Sequence, residues 1–439
     1  MLLNQLFHIK LAPANFSQNV SIFAPQAAES KTGPQLVYEI FSMGLFDKCF
    51  EYDAAEIAKQ KGIYPYFRPI QESEGPVVRM EGRKVVMAGS NNYLGLTSHP
   101  KVKEAAIAAL DKYGSSCSGS RFLTGTIDLH IELEHKIAKF MGKQAALLFS
   151  TGYQAGQGVI FPLVSKGDYI LSDKDNHASI VAGNLMSTSI GANVIRYKHN
   201  DMADLENRLK QIPEGANKLI VTDGVFSAHG LTVDMQGVAA LAKKYDARTL
   251  VDDAHGFGVL GPLGKGTVHH FGVENDVDLI VCTFSKTLAS IGGFVVGDER
   301  VINYLKHKSP ALIFSASPTP ASVAAASAAL DILIEQPELA TRVRRNADRV
   351  RKGLREAGYT VIDGEAAIVP VIIGDDEKTF TIWKMLYDEG VFVNAFISPA
   401  TPPGMQMLRT SYMATHEDEH LDYIIDKFTK IGKQLNLLN

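Results

Sequence analysis

Short apolar runs recur through the middle of the chain, at Ala145 to Ser150, Tyr169 to Ser172, Val194 to Tyr197, Leu219 to Asp223, Thr249 to Asp252, Leu279 to Thr283 and Gly293 to Val296. Most are bounded by Gly, Asp or Asn and rich in aliphatic or β-branched residues, so they predict strands. Between several of them the period changes. Met202 to Leu209 and Gln236 to Tyr245 place apolar residues three and four apart, which predicts amphipathic helices. Strand and helix in alternation predict an α/β fold on a mainly parallel, doubly wound sheet of about seven strands, with ligands beyond the strand ends. From Ala321 a long helical stretch runs to Gly358, followed by Ile368 to Ile373, a helix through Trp383, Val391 to Phe396, Leu408 to Met413 and a last helix. That change of pattern predicts a smaller α+β domain over 331–439, after a large domain over 99–330 and an N-terminal segment over 43–98. Residues 1–42 read as a poorly ordered extension, and Gly44-Leu45-Phe46-Asp47 opens a new amphipathic pattern, so Met43 could be the natural start.

Composition narrows the function. The 439 residues hold 44 Lys and Arg against 48 Asp and Glu, a net charge of −4, which leaves no cationic surplus for a phosphate backbone. Nucleic acid is therefore not expected as a partner. Hydrophobic residues at 46% and charged residues at 21% exclude a wholly disordered or fibrous chain. No apolar stretch approaches the roughly 20 residues of a spanning helix. Cys49, Cys117 and Cys282 lie far apart in no metal-like spacing, which fits a reducing, cytoplasmic setting. The mildly apolar Met1 to Ala12 leaves peripheral contact with the inner membrane as a secondary expectation. No metal is expected, and His269-His270 reads as an exposed turn.

Gly256-Phe257-Gly258-Val259-Leu260-Gly261 matches a dinucleotide fingerprint, but Pro262 to Gly266 continues as loop where a helix should begin, so the match is discounted. More informative is Thr283-Phe284-Ser285-Lys286-Thr287, which sets a lysine just past a strand. Partial desolvation there lowers its pKa and frees the amine to attack a carbonyl. On the preceding strand Val251-Asp252-Asp253-Ala254-His255 offers a carboxylate for a protonated pyridine nitrogen and a donor for a phenolate oxygen. Strand alternation lets only one of Asp252 and Asp253 face such a ligand. Ser150-Thr151-Gly152-Tyr153 follows a strand and opens a helix, a place for an anion such as a phosphate ester. His177, in Asn176-His177-Ala178-Ser179, could stack on a flat ring.

These motifs, with Ser90-Asn91-Asn92-Tyr93-Leu94-Gly95, Gly119-Ser120-Arg121 and Asp223-Gly224-Val225-Phe226-Ser227, occur in the order seen in the α-oxoamine synthases, which the chain resembles from about residue 43 to 439. The resemblance implies a fold type I pyridoxal-phosphate enzyme that condenses an amino acid with an acyl-CoA and releases carbon dioxide. Tyr64-Pro65-Tyr66-Phe67-Arg68, Ser118 to Leu123, Ala289 to Phe294, and Pro399 to Gly404 ahead of Leu408-Arg409-Thr410-Ser411 are most similar to members using L-serine and a long-chain acyl-CoA. Members using glycine or alanine are the alternative. The usual Asp-Glu-Ala-His is Asp252-Asp253-Ala254-His255 here, a departure at a position not expected to touch the cofactor.

Residue by residue, the resemblance implies that Lys286 carries pyridoxal 5'-phosphate as a Schiff base and later acts as general base. It further implies that His177 stacks on the ring, Asp252 pairs with its nitrogen and His255 with its phenolic oxygen. The phosphate would meet the Gly152 and Tyr153 backbone, Thr283 and Ser285, with Ser227 also at the cofactor. Ser317 or Thr319 would reach across from a second subunit, since family members share sites between protomers, so a homodimer is expected. Arg409 matches the family's carboxylate-binding arginine, and Asn92 would touch substrate near the entrance. Partner subunits without catalysis lack the lysine, so Lys286 argues against that role.

Overall fold

In a computed structural model, which describes residues 44–398 and 400–438, two short helices, Asp47–Phe50 and Ala54–Gln60, lead into an element the apolar pattern did not announce. The expectations for residues 1–42 and for a start at Met43 lie outside the described residues. Ile70–Glu74 (β1), Val77–Met80 (β2) and Arg83–Met87 (β3) form an antiparallel meander. Glu81 and Gly82 both take positive φ, 49° and 77°, which is the geometry of a two-residue hairpin loop that continues the strand twist. All of β1 is exposed, and its polar residues hid it from a hydrophobic reading.

The seven predicted runs each form a strand, within one residue of the expected ends: Ala145–Phe149 (β4), Tyr169–Asp173 (β5), Asn193–Tyr197 (β6), Lys218–Asp223 (β7), Arg248–Asp252 (β8), Leu279–Thr283 (β9) and Gly293–Gly297 (β10). They make one sheet in the order β4-β10-β9-β8-β7-β5-β6. Only β10 runs antiparallel to its neighbours. Residues 284–292 are too few for the crossover that a parallel return would need. Alternate side chains serve two cores. Phe149, Leu250 and Val281 pack under helices Gly152–Leu163 and Ala178–Ser189, whereas Leu148, Val251 and Cys282 join the opposite cluster with Leu133, Val238 and Val323. Burial on both faces explains why these strands read as continuous apolar runs.

Two C-terminal expectations need correction. The helical stretch from Ala321 to Gly358 is two helices, Pro320–Glu335 and Glu338–Glu356, because Pro337 drives Gln336 to φ −130° and ψ 63°, outside the helical region. The single strand expected over Val391 to Phe396 divides at Val393. Beyond Ile368–Ile372 (β11), Val391–Phe392 (β12) pairs parallel with β3, and Asn394–Phe396 (β13) pairs antiparallel with Met407–Ser411 (β14). The β14 strand is central in a three-stranded sheet ordered β11-β14-β13. One apolar cluster takes Val78, Met80 and Val85 from the meander together with Trp383, Leu386 and Phe428, so the N-terminal meander is packed onto the C-terminal part. Trp383 stacks on Tyr387 with centroids 5.6 Å apart, and the Arg68 guanidinium lies 5.3 Å and 5.0 Å from the two rings. No helix among the described residues is long and apolar enough to cross a membrane.

Candidate active site

Beyond the carboxyl ends of β7, β8 and β9 lies a cavity of about 350 Å³ whose lining includes His177, Asp223, Asp252, His255, Thr283 and Lys286. Strand alternation sorts the acidic pair at the end of β8. Asp252 faces the cavity, while Asp253 turns away and accepts hydrogen bonds from the Thr267 backbone N–H (2.7 Å) and hydroxyl (2.5 Å). Burial raises the Asp253 carboxyl to about 7. The discounted glycine motif belongs to this socket: no helix begins within Gly256 to Gly261, and a Cβ on Gly256 would come within 2.1 Å of Asp253 Oδ1.

Lys286 is aimed by the turn after β9. The Phe284 N–H donates to the Gly292 carbonyl at 2.9 Å, and Gly292, at φ 145°, passes so close that a Cβ would sit 2.3 Å from the Phe284 ring. Burial lowers the Lys286 ammonium to about 8, against the opposing pull of Asp252 and Asp223. Asp223 is itself pushed well up, by burial and then by Asp252, and accepts the His177 N–H at 3.2 Å. His177 caps helix Ala178–Ser189, its Nδ1 accepting the Ser179 N–H at 3.3 Å, which fixes the ring at the cavity wall. His255 is buried, and burial, then Lys286 and Arg409, drive its pKa well below the usual value, so the imidazole is neutral. The Tyr93 oxygen lies 2.5 Å from His255 Nδ1 and 3.3 Å from Asn91 Oδ1. Burial raises the Tyr93 hydroxyl to about 12, so it keeps its proton.

Opposite the lysine, helix Gly152–Leu163 starts against β9. A Cβ on Gly152 would sit 2.5 Å from the Thr283 Cβ, so only glycine lets the first turn close onto Thr283, whose hydroxyl lies 2.8 Å from that of Ser285. Amide N–H groups of a helix start beside two hydroxyls suit a phosphate, and Asp252 and His255 line the same cavity with the carboxylate and imidazole a pyridine ring calls for, so the residues present fit pyridoxal phosphate. Tyr153 also lines the cavity.

A second cavity of about 420 Å³ shares His177, His255 and Lys286 with the first and adds Ser227, Asn91, Phe396 and Arg409. Arg409 is buried on β14, its Nε donating to the Ser227 carbonyl at 2.6 Å and its Nη2 to Asn91 Oδ1 at 3.0 Å. Ser227 thus stands at the arginine rather than at the helix start. Asn92 lines a third, more apolar cavity of about 870 Å³, with Tyr64, Ile70, Met80, Met87 and Phe392, and donates to the Thr97 hydroxyl at 2.8 Å. Neither Ser317 nor Thr319 lines the first cavity. Thr319 caps helix Pro320–Glu335, and the Ser317 hydroxyl is buried without a partner. His269 and His270 are half-buried, not exposed, bonded to the Met141 carbonyl (3.0 Å) and to Glu365 (2.8 Å). Sequence reasoning assigned no role to Tyr93, Asn91 or Asp223, though all three lie inside motifs already singled out.

Comparison with known proteins agrees with this geometry. The family described as aminotransferase class I and II matches residues 83–428. A serine palmitoyltransferase of Sphingobacterium spiritivorum is 48% identical over 393 residues, covering 90% of this chain and 98% of that one. An 8-amino-7-oxononanoate synthase of Geobacter sulfurreducens is 42% identical over 383 residues, 87% of this chain and 97% of that one. Among solved structures, the Sphingomonas wittichii serine palmitoyltransferase aligns at a TM-score of 0.85 and 36% identity, over 90% of this chain and 100% of that one. The fold, the lysine-centred cavity and these relatives agree: the chain belongs to the aminotransferase class I and II family and, within it, to the α-oxoamine synthases, which are pyridoxal-phosphate enzymes.

Proposed function

We propose that this chain condenses L-serine with palmitoyl-CoA, giving 3-ketodihydrosphingosine, CoA and carbon dioxide. The observation that carries this reading is the position of Lys286, which stands between the phosphate-type cradle of one cavity and the Arg409 of the next. Relatives named serine palmitoyltransferase, 42–48% identical to the chain, support serine and a long acyl group over the glycine- and alanine-using alternatives. Purified protein incubated with L-serine, glycine or L-alanine and with palmitoyl-, pimeloyl- or acetyl-CoA is expected to release CoA fastest from serine with palmitoyl-CoA. Faster release from alanine with pimeloyl-CoA would replace this reading with the oxononanoate one.

Bound pyridoxal phosphate supplies a protonated ring that takes up the electron pair left at the amino acid's Cα. Asp252 would keep the proton on the ring nitrogen, and the neutral His255, held by Tyr93, would meet the phenolic oxygen. His177, on the cavity wall, would stack on the ring. The Gly152 helix start, Thr283 and Ser285 hold the phosphate. Arg409 holds the serine carboxylate, with Ser227 and Asn91 fixing the guanidinium plane. The Lys286 amine would take the Cα proton as general base, and a pKa of about 8 suits that exchange near neutral pH. The apolar cavity shares Pro65, Tyr66 and Asn394 with the Arg409 cavity and receives the acyl chain.

The lowered lysine pKa gives a pH signature. Capture of cofactor by cofactor-free enzyme needs the neutral amine, so its rate should climb as pH rises through about 8 and then level off. An unperturbed lysine would keep the rate rising towards about 10.4. Stopped-flow absorbance across that range distinguishes the two, and a plateau only above pH 10 contradicts the burial argument.

The active unit is a homodimer in the cytoplasm. Phe314 (86% exposed), Leu123 (76%) and Phe122 (50%) lie within three residues of the bridge that pairs Ser120 with Ala316, so exposed apolar side chains flank it on both strands of chain. Light scattering on the purified protein should give twice the 47.8 kDa chain mass, and Leu123→Glu with Phe314→Glu should halve it. A monomeric wild type that is fully active would remove the shared-site reading. All three cysteines are unpaired, as a reducing compartment requires.

A further inference from the structure

Three residues outside the described cavities converge beyond the ends of β5, β6 and β7. Asp175 lies two positions past β5, His199 two past β6, and His229 in the loop that follows β7. One ligand atom from each lies within 4.8 Å of the others. The two imidazoles are 4.8 Å apart between centroids, and Phe226 packs edge-on against His199 at 4.3 Å. His229 Nδ1 is buried without a hydrogen-bond partner, an arrangement that calls for an explanation. His199 is already oriented. Its Nδ1 lies 3.1 Å from Oδ1 of the fully buried side chain of Asp173 and 3.7 Å from Asp175 Oδ2, which leaves Nε2 for an ion, and the other Asp173 oxygen accepts the Asn200 N–H at 2.8 Å. A carboxylate behind an imidazole is the arrangement that orients metal-binding histidines and raises their basicity.

We propose that Asp175, His199 and His229 bind one divalent transition ion of the zinc class, with solvent completing the coordination. Two nitrogens and one carboxylate suit zinc, cobalt or nickel and disfavour magnesium and calcium, which prefer all-oxygen sites. Ligands about 2.0–2.2 Å from an ion lie closer together than a 4.8 Å spread, so the three side chains must draw together on binding. Asp175 is exposed and its loop can supply that movement. The ion would fasten the Asp173–His177 loop, which carries His177, to the loop holding Ser227, whose carbonyl orients Arg409. Sequence reading expected no metal because these ligands come from three separate strand ends, in no local spacing.

The test uses untagged protein with its cofactor bound, stripped with a chelator and dialysed. Zinc titrated by calorimetry, and cobalt followed by its visible absorption, are each expected to show one ion per chain. The affinity should fall at least tenfold in His229→Ala and in Asp175→Asn, with far-ultraviolet circular dichroism unchanged. Millimolar magnesium should not displace zinc. Absence of a stoichiometric site would overturn the proposal, as would equal affinity in both variants, which would assign the ion to the cofactor phosphate or to surface groups. Displacement by magnesium would overturn the ligand chemistry.

Discussion

Lys286→Ala is expected to lose turnover of L-serine and palmitoyl-CoA by at least about 10²–10⁴-fold, the range set by a positioned general base, and to lose the visible absorption of lysine-bound cofactor. Two properties of the side chain produce the effect together. In the proposed mechanism its amine is both the covalent anchor and the base, placed between the two cavities. Burial already weakens its hold on a proton, so removing it relieves a strained charge and should leave the fold intact. The variant should therefore show wild-type circular dichroism with little activity. Retained turnover would mean that another amine serves, and among the described residues no other lysine lines the first cavity.

How far the sequence foretold this site depends on which residue is asked about. The seven sheet strands were legible because burial on both faces imposes a simple rule on composition. Strand alternation said that only one of Asp252 and Asp253 could face a ligand, the resemblance chose Asp252, and the Thr267 contacts of Asp253 bear out the alternation. The meander over 70–87 was not legible, since its β1 strand is wholly exposed and carries no apolar stripe. Nor was the split at Val393: a run of strand-forming residues does not say that its two halves will pair with different sheets. Tyr93 and Asn91 act through contacts to His255 and Arg409, residues 162 and 318 positions away, and no local spacing encodes such pairs. Arg409 itself came from the resemblance, not from any pattern. The geometry adds what the resemblance lacked, namely the Ser227 carbonyl and Asn91 amide oxygen that set its plane.

That plane makes Arg409→Ala the sharpest separation of substrate binding from cofactor chemistry. The variant should still capture pyridoxal phosphate and absorb in the visible, because Lys286, Asp252, Thr283 and Ser285 are untouched. Serine should bind more weakly by about 1.5–3 kcal/mol, the loss of a hydrogen bond to a charged group, which is roughly 10- to 150-fold in affinity. Arg409 is buried, and its removal strands the Ser227 carbonyl and Asn91 Oδ1, so some loss of thermal stability should accompany the change. Arg409→Lys keeps the charge but lacks the fork that reaches both partners, so it should recover only part of the affinity. Serine titrations followed by the cofactor spectrum give the affinities directly for each variant. Unchanged serine affinity in Arg409→Ala would place the carboxylate elsewhere in the second cavity and reduce Arg409 to a structural clamp on the Ser227 loop.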